Sequence, residues 1–282
     1  MERKKIAIVG VGLIGGSLAI QLHEKKIASR LIGVENSEQH AMKALELELV
    51  DEILPLEQAV AEADVIILSI PVDELVKTLP LVMSMIDEQI VLDMGSTKSQ
   101  LTELLKDHPK RGRYVASHPM WGTEYSGPQA AVRGAYENKA VILCNTAESD
   151  IDALEWTKVM YRKIGMHLLE MEAKAHDLHA AYVSHISHIT SFALANTVLE
   201  KEKEDQAIFE LASAGFESTV RLAKSNPAMW VPIFMQNREN VLDVLNEHIA
   251  QLTRFRQSLE KQDDQQLKGL IQDANKISRI IK

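Results

Sequence analysis

The chain has 282 residues, 46% of them hydrophobic and 25% charged, with a formal net charge of −9. That length suffices for two domains, and the acidic balance argues against a nucleic-acid partner and against docking on an anionic membrane. No run of about 18 apolar residues occurs, so no membrane span is expected. MERKKIAIVG passes from charge straight into a short apolar run without the features of a signal peptide. The single cysteine, Cys144, lies in AVILCN and reads as a buried structural thiol. These features together lead us to expect a soluble, cytoplasmic protein.

The first predicted strand, IAIV at 6–9, runs into GVGLIG, Gly10 to Gly15, and then a helix over SLAIQLHEKK. A G-x-G-x-x-G pattern that follows a strand and opens a helix is a dinucleotide-binding fingerprint. Gly10 permits the tight turn, Gly12 lets the backbone approach a pyrophosphate, and Gly15 allows close helix–strand packing. Leu13 and Ile14 are placed in the same cofactor turn. The second strand, LIGVE at 31–35, ends on Glu35, at the offset where an acid binds ribose hydroxyls and repels a 2′-phosphate. NAD is therefore expected rather than NADP.

A helix over SEQHAMKALELE follows. The strands DVIILSI at 64–70 and QIVLDM at 89–94 are near-continuous and apolar, as in parallel sheets covered on both faces. Their ends run into SIPVD (69–73) and DMGSTK (93–98), at the strand ends where ligands bind in such sheets. Ser69 and Pro71 are placed on the nicotinamide side, Gly95 in the cofactor site, and Ser96 and Thr97 either in the site or as caps of the next helix. Helices are read over VDELVKTLPLVMSMI and TKSQLTELLKD. Strands at RYVASH (113–118), AVILC (140–144) and MHLLEM (166–171) complete an alternation that implies a doubly wound α/β sheet of Rossmann type. SHPMWGTEYSGP, Ser117 to Pro128, is broken by Pro and Gly into a loop in which His118 stands out.

After about residue 172 the strand signals stop. EAKAHDLHAAYVSHISHITSFALANTVLEKE reads as one long helix. QAIFELASAG, STVRLAK, AMWVPIFMQNRENVLDVLNEHIAQLTRFRQSLEK and DQQLKGLIQDANKISRIIK follow, with breaks at Gly215 and Asn226–Pro227. The expected organisation is a dinucleotide-binding domain over 1–171 and an all-α domain over 172–282. FALANTVL, AMWVPIFM and VLDVL carry more apolar surface than one thin layer can bury, which points to a dimer. His185 and His188 share one helix face. His176 and His179 are placed on roughly the opposite face from His185 and read as packing or interface residues. No Cys or Glu-x-x-His set completes a coordination sphere, so no metal is expected.

GVGLIGGS, DMGSTK, SHPMWGTEYSGP, SHISH and GFESTVRLAKSNPAMW occur in this order along essentially the whole chain. In this the sequence resembles the prephenate dehydrogenases of tyrosine biosynthesis and the closely similar arogenate dehydrogenases; HPMxGTExSG and RxAxSNPxxW are the most specific pieces. The resemblance implies NAD-dependent oxidative decarboxylation of prephenate to 4-hydroxyphenylpyruvate. It implies His118 as the base, Ser96 at the substrate hydroxyl and nicotinamide, His188 in the substrate site, and Arg221 on a substrate carboxylate. A chain of net charge −9 that binds a dianion needs local cations; Lys224 is placed with Arg221, and Arg133 and Lys98 are weaker candidates. Glu217, one turn from Arg221, is an alternative partner for it. Glu124 and Ser126 are expected to support His118 or to bind substrate. The resemblance also implies a homodimer of interlocked helices, with Trp230 either a core residue or reaching a neighbouring subunit's pocket. Ser213 and Ala214 stand where relatives carry glycine. No regulatory or chorismate mutase segment is read, so tyrosine feedback, if present, is expected at the active site. Arogenate, alone or beside prephenate, is the alternative substrate, and a non-catalytic NAD-binding protein the remote alternative.

Overall fold

The computed structural model describes residues 2–203 and 208–280. Two compact units are distinguished, one running to Asn237 and the other from Arg238 onward.

The first unit is built on strands β1 (Lys4–Val9), β2 (Ala28–Val34), β3 (Glu52–Ile53), β4 (Val65–Leu68), β5 (Ile90–Asp93), β6 (Tyr114–Pro119), β7 (Ala140–Cys144) and β8 (His167–Met171). They form one sheet in the order β3-β2-β1-β4-β5-β6-β7-β8. Strands β1 to β6 pair in parallel. β7 runs antiparallel to β6, and β8 lies parallel to β7. The reversal follows from the connection. Between β6 and β7 the chain passes through the Pro- and Gly-broken loop with no α-helix, whereas a parallel return requires a long crossover.

The connecting helices are α1 (Leu13–Glu24), α2 (Glu38–Glu46), α3 (Leu56–Glu62), α4 (Val72–Met85), α5 (Ser99–Leu104) and α6 (Ile151–Lys163). Successive strand residues alternate between two cores: Ile6, Ile8, Val65 and Ile67 join one, Ala7, Val9, Ile66 and Leu68 the other. Burial on both faces explains why these strands read as unbroken apolar runs. Each fully buried branched side chain contributes about 1.5–3 kcal/mol. Cys144 is buried in the second core, and burial pushes its thiol up to about 12.

Beyond β8 come α7 (Ala173–Ala180), a π-helical turn (Ala181–His185), α8 (Ile186–Glu202), α9 (Ala214–Val220) and α10 (Pro227–Gln236). α7, the π turn and α8 form the one continuous helical stretch expected. The predicted QAIFELASAG helix begins at Gln206, outside the described residues; its described part is a 3₁₀ turn over Phe209–Leu211, separated from α9 by extended backbone at Ser213. α10 stops at Gln236, so the predicted single helix from Ala228 to Lys261 is divided. The second unit holds α11 (Arg238–Glu260) and α12 (Asp264–Ala274); the predicted last helix tightens into a 3₁₀ turn over Asn275–Arg279, and its last two residues lie outside the described residues. No described helix is long and apolar enough to cross a membrane.

Candidate active site

The nucleotide end is formed by backbone at the C-terminal ends of β1 and β2. Gly10 has φ +88°, and a Cβ there would strike the Ser69 carbonyl. Only glycine adopts that conformation freely. Gly15 sits against the Gly10 carbonyl with no room for a side chain, whereas Gly12, at the head of α1, faces open space. The N–H groups there are available to an anion. The Glu35 carboxylate accepts hydrogen bonds from the amides of Val11 at 3.3 Å and Ser37 at 3.1 Å, which fix it at the end of β2. One cleft of about 530 Å³ gathers Gly10, Gly12, Leu13, Ile14, Glu35, Ser69, Pro71, Gly95 and Ser96. The Ser69 hydroxyl is buried there without a hydrogen-bond partner among the described residues. A glycine cradle, a fixed ribose-facing acid and an orphaned hydroxyl fit a dinucleotide.

The loop carrying Ser96 is pinned from beneath. Lys98 is fully buried and ion-paired with Asp93. Asp93 also accepts from the Tyr114 hydroxyl at 2.7 Å and the Gly95 amide at 2.9 Å. Burial, followed by the Asp93 charge, pushes the Tyr114 phenol well up. Ser117 donates to the Asp93 carbonyl at 2.6 Å and meets the Tyr161 hydroxyl at 2.7 Å. Two expectations are corrected here. Lys98 is held by Asp93 and is not an available cation for substrate. Neither Ser96 nor Thr97 caps α5: Thr97 donates to Gln236 at 2.7 Å, and the free amides of Lys98 and Ser99 donate to Asp177 of α7, each at 2.8 Å.

His118 lies at the end of β6, half-buried. Its Nδ1 is 2.8 Å from His176 Nε2, and His176 Nδ1 is 2.8 Å from Asp177 Oδ1. Burial, then the neighbouring His176, Lys98 and His185, hold the His118 imidazole well below its usual range, so it is neutral at pH 7. Burial pushes the Asp177 carboxyl up, but hydrogen bonds from His176, Ser99 and Lys98 outweigh it and keep it below the usual carboxylate range. The assignment of His176 to packing or an interface is thus corrected, while His179 is exposed. Nine residues of regular α-helix would set His176 and His185 about half a turn apart. The π turn over Ala181–His185 advances less per residue, and it brings both rings to the same corner, where His176 helps to lower the His185 imidazole.

Facing this corner, α8 and α10 supply an aromatic wall. Trp230, 7% exposed, stacks on His188 with ring centroids 3.4 Å apart and meets His185 edge-on at 6.0 Å. His188 Nδ1 donates to the Ser184 carbonyl at 3.1 Å. Burial lowers the His188 imidazole, and nearby Arg221 adds to that. Burial likewise depresses His185 to about 4; Asn237 Nδ2 is 3.2 Å from its Nδ1. Arg221 pairs with Glu124 at 3.3 Å, not with Glu217. Glu124 therefore serves Arg221 rather than His118, and both Glu124 and exposed Ser126 line the cleft. Lys224 is exposed at the end of the Arg221–Lys224 turn, and Arg133 pairs with Glu24 on the surface. Trp230 is packed within its own chain. Sequence reasoning missed Asp93, His176 and Asp177 as parts of this corner; the available signal was the His–Asp pair in the first helix after the last strand.

Comparison with known proteins adds the following. Residues 18–170 match the family model described as prephenate dehydrogenase, nucleotide-binding domain, and residues 172–273 the model described as prephenate dehydrogenase, dimerization domain. The chain is 32% identical to a prephenate dehydrogenase of Bacillus subtilis over 93% of its length and 72% of the relative's. It is 30% identical to a cyclohexadienyl dehydrogenase of Zymomonas mobilis over 99% of its length and 96% of the relative's. Among solved structures, Aquifex aeolicus prephenate dehydrogenase in complex with hydroxyphenyl propionate and NAD+ superposes with a TM-score of 0.90 at 28% identity, covering 99% of this chain and 98% of that one. Synechocystis arogenate dehydrogenase gives 0.78 at 26%, covering 99% and 100%. With its glycine cradle, its His118 corner and both halves matched, the chain belongs to the prephenate dehydrogenase family.

Proposed function

We propose that this chain oxidises prephenate to 4-hydroxyphenylpyruvate and CO₂, with His118 as the base. The chain is an NAD-dependent dehydrogenase of its family. NAD+, held by the Gly10–Gly12 turn and Glu35, would supply the acceptor for a hydride from substrate C4. The O–H pair of the C4 hydroxyl closes to C=O as that hydride leaves, and His118 accepts the proton. Loss of the ring carboxylate as CO₂ then restores aromaticity. The oxygen ends as a phenol, so His118 returns the proton and is reset within the turnover.

The observation that carries this reading is the state of His118. It is a neutral imidazole at the mouth of a strand, tied through Nδ1, which leaves one nitrogen for substrate. Ser96 lines the cleft and is assigned to the hydroxyl end of the substrate. Arg221 and His188 are assigned to its carboxylate end, where a guanidinium both binds and orients. Lys224 is assigned an outer role there. The Aquifex relative solved in complex with hydroxyphenyl propionate and NAD+ supports an aromatic acid bound together with the dinucleotide. Arogenate is the competing substrate, because relatives named cyclohexadienyl and arogenate dehydrogenase share the fold.

In this reading the dinucleotide is held by residues up to 171 and the helical part beyond completes the substrate site. That part also carries a homodimer contact, in keeping with the matched dimerization domain and with the exposure of Leu199, Val231 and Met235. A cytoplasmic location goes with the reading. The test is His118→Asn: kcat falls by about 10²–10⁴ while NAD affinity stays within about twofold. An unchanged rate removes His118 from the mechanism.

A further inference from the structure

We infer that His176 and Asp177 are positioning residues that fix the tautomer of His118, so that Nδ1 carries the hydrogen and Nε2 is the bare nitrogen facing substrate. The inference rests on the reading of His118 as the base.

It follows from donor and acceptor accounting along one hydrogen-bonded chain. Asp177 is ionised and can only accept. Its Oδ1 takes the Lys98 amide and its Oδ2 the Ser99 amide, both obligatory donors at 2.8 Å. His176 Nδ1, 2.8 Å from the same Oδ1, must therefore carry a hydrogen. With its one hydrogen on Nδ1, the imidazole form of His176 offers Nε2 as an acceptor. His118 Nδ1 lies 2.8 Å from that nitrogen, a separation that needs one hydrogen between them, and His118 supplies it. The lone pair of His118 is then on Nε2.

The chain is held in place. Asp177 is fixed by two backbone amides at the start of α5, and its own carbonyl accepts from Asn237 Nδ2 at 2.6 Å. His176 is 2% exposed, so water does not compete for its nitrogens. The other titratable or charged groups at this corner are Lys98, neutralised by Asp93, and His185. When Nε2 takes the hydroxyl proton, the O–H bond breaks and an N–H bond forms. The imidazolium keeps Nδ1–H on His176, and its charge is balanced through that ring by the Asp177 carboxylate. No other proton has to move. A second proton on His176 would reverse the chain and place the hydrogen on His118 Nε2, leaving no base.

The test compares His176→Phe and His176→Gln, the second of which can still present an acceptor where Nε2 stood. His176→Phe should lower kcat about 100-fold, with KM and NAD affinity within about threefold, and His176→Gln should recover kcat to within about tenfold of wild type. In a His118→Asn background, His176→Phe should add no further loss. The inference is overturned if His176→Phe keeps kcat within about twofold of wild type, or if His176→Gln falls as far as His176→Phe. A full rate in His118→Asn alone would instead refute the base assignment. Should the variants fail to fold, ¹⁵N-histidine NMR of the wild-type protein with NAD+ reads the tautomer directly. A protonated Nδ1 and bare Nε2 on His118 support the inference, and the opposite tautomer overturns it.

Discussion

The nucleotide cleft and the His118 corner are made of different material. At the nucleotide end the working surface is main chain: the Gly10 turn, the open face of Gly12 and a carboxylate, Glu35, held by two amides. At the His118 corner the parts are side chains, tied into His118–His176–Asp177 and, buried beneath, Lys98–Asp93–Tyr114. Backbone sites tolerate almost no substitution but are local in sequence. Side-chain sites depend on where separate elements land, and they carry buried charge that must stay paired.

The largest expected difference is in stability. Lys98→Met leaves Asp93 charged and unpaired in the core. It should destabilise the fold by about 3–5 kcal/mol in chemical denaturation. A loss under about 1 kcal/mol would show that the lower network is not needed to hold this corner. Next comes Arg221→Ala, which removes a charged hydrogen-bond donor from the proposed carboxylate end and should raise KM for prephenate about 10- to 100-fold, with kcat little changed. A flat KM would sink that assignment.

Glu35→Gln probes the backbone end. It keeps the shape and removes the charge, so NAD affinity measured by titration should weaken about tenfold and the preference over NADP should shrink. Equal affinity for both cofactors in the wild type would contradict the role given to Glu35.

The smallest effect is in pH. Burial, then His176, Lys98 and His185, disfavour protonated His118, so its folded value is depressed. The acid limb of kcat/KM should therefore lie below the ordinary histidine value of about 6.5. His185, depressed to about 4, is also buried neutral. For both rings folding stability is complete above about pH 6.5 and declines as pH falls through that unfolded value, for His185 down to about 4. An acid limb above 7 would mean that His118 is not the titrating group.

This contrast also explains what could be read from the sequence. β1, β4 and β5 were legible because both faces of the sheet are covered there and their runs are near-continuously apolar. β3 is two half-buried residues, Glu52 and Ile53, too short for any periodic signal. α6 buries Ala153, Thr157, Met160 and Tyr161, a stripe too mixed to stand out. The glycine cradle was legible because only one residue type fits its turns. His176 was not, because reading it required the π turn at Ala181–His185, which overrides ideal helical spacing. Asp177 was hidden for a related reason: it caps α5, a helix more than 70 residues earlier in the chain.

The most direct test of the account is the rate of NADH formation from prephenate and from arogenate, each with NAD+. The account predicts a kcat/KM for prephenate at least about tenfold above that for arogenate, a gap that one well-placed polar contact can supply. A tenfold preference for arogenate, or no NADH from either substrate, would contradict it.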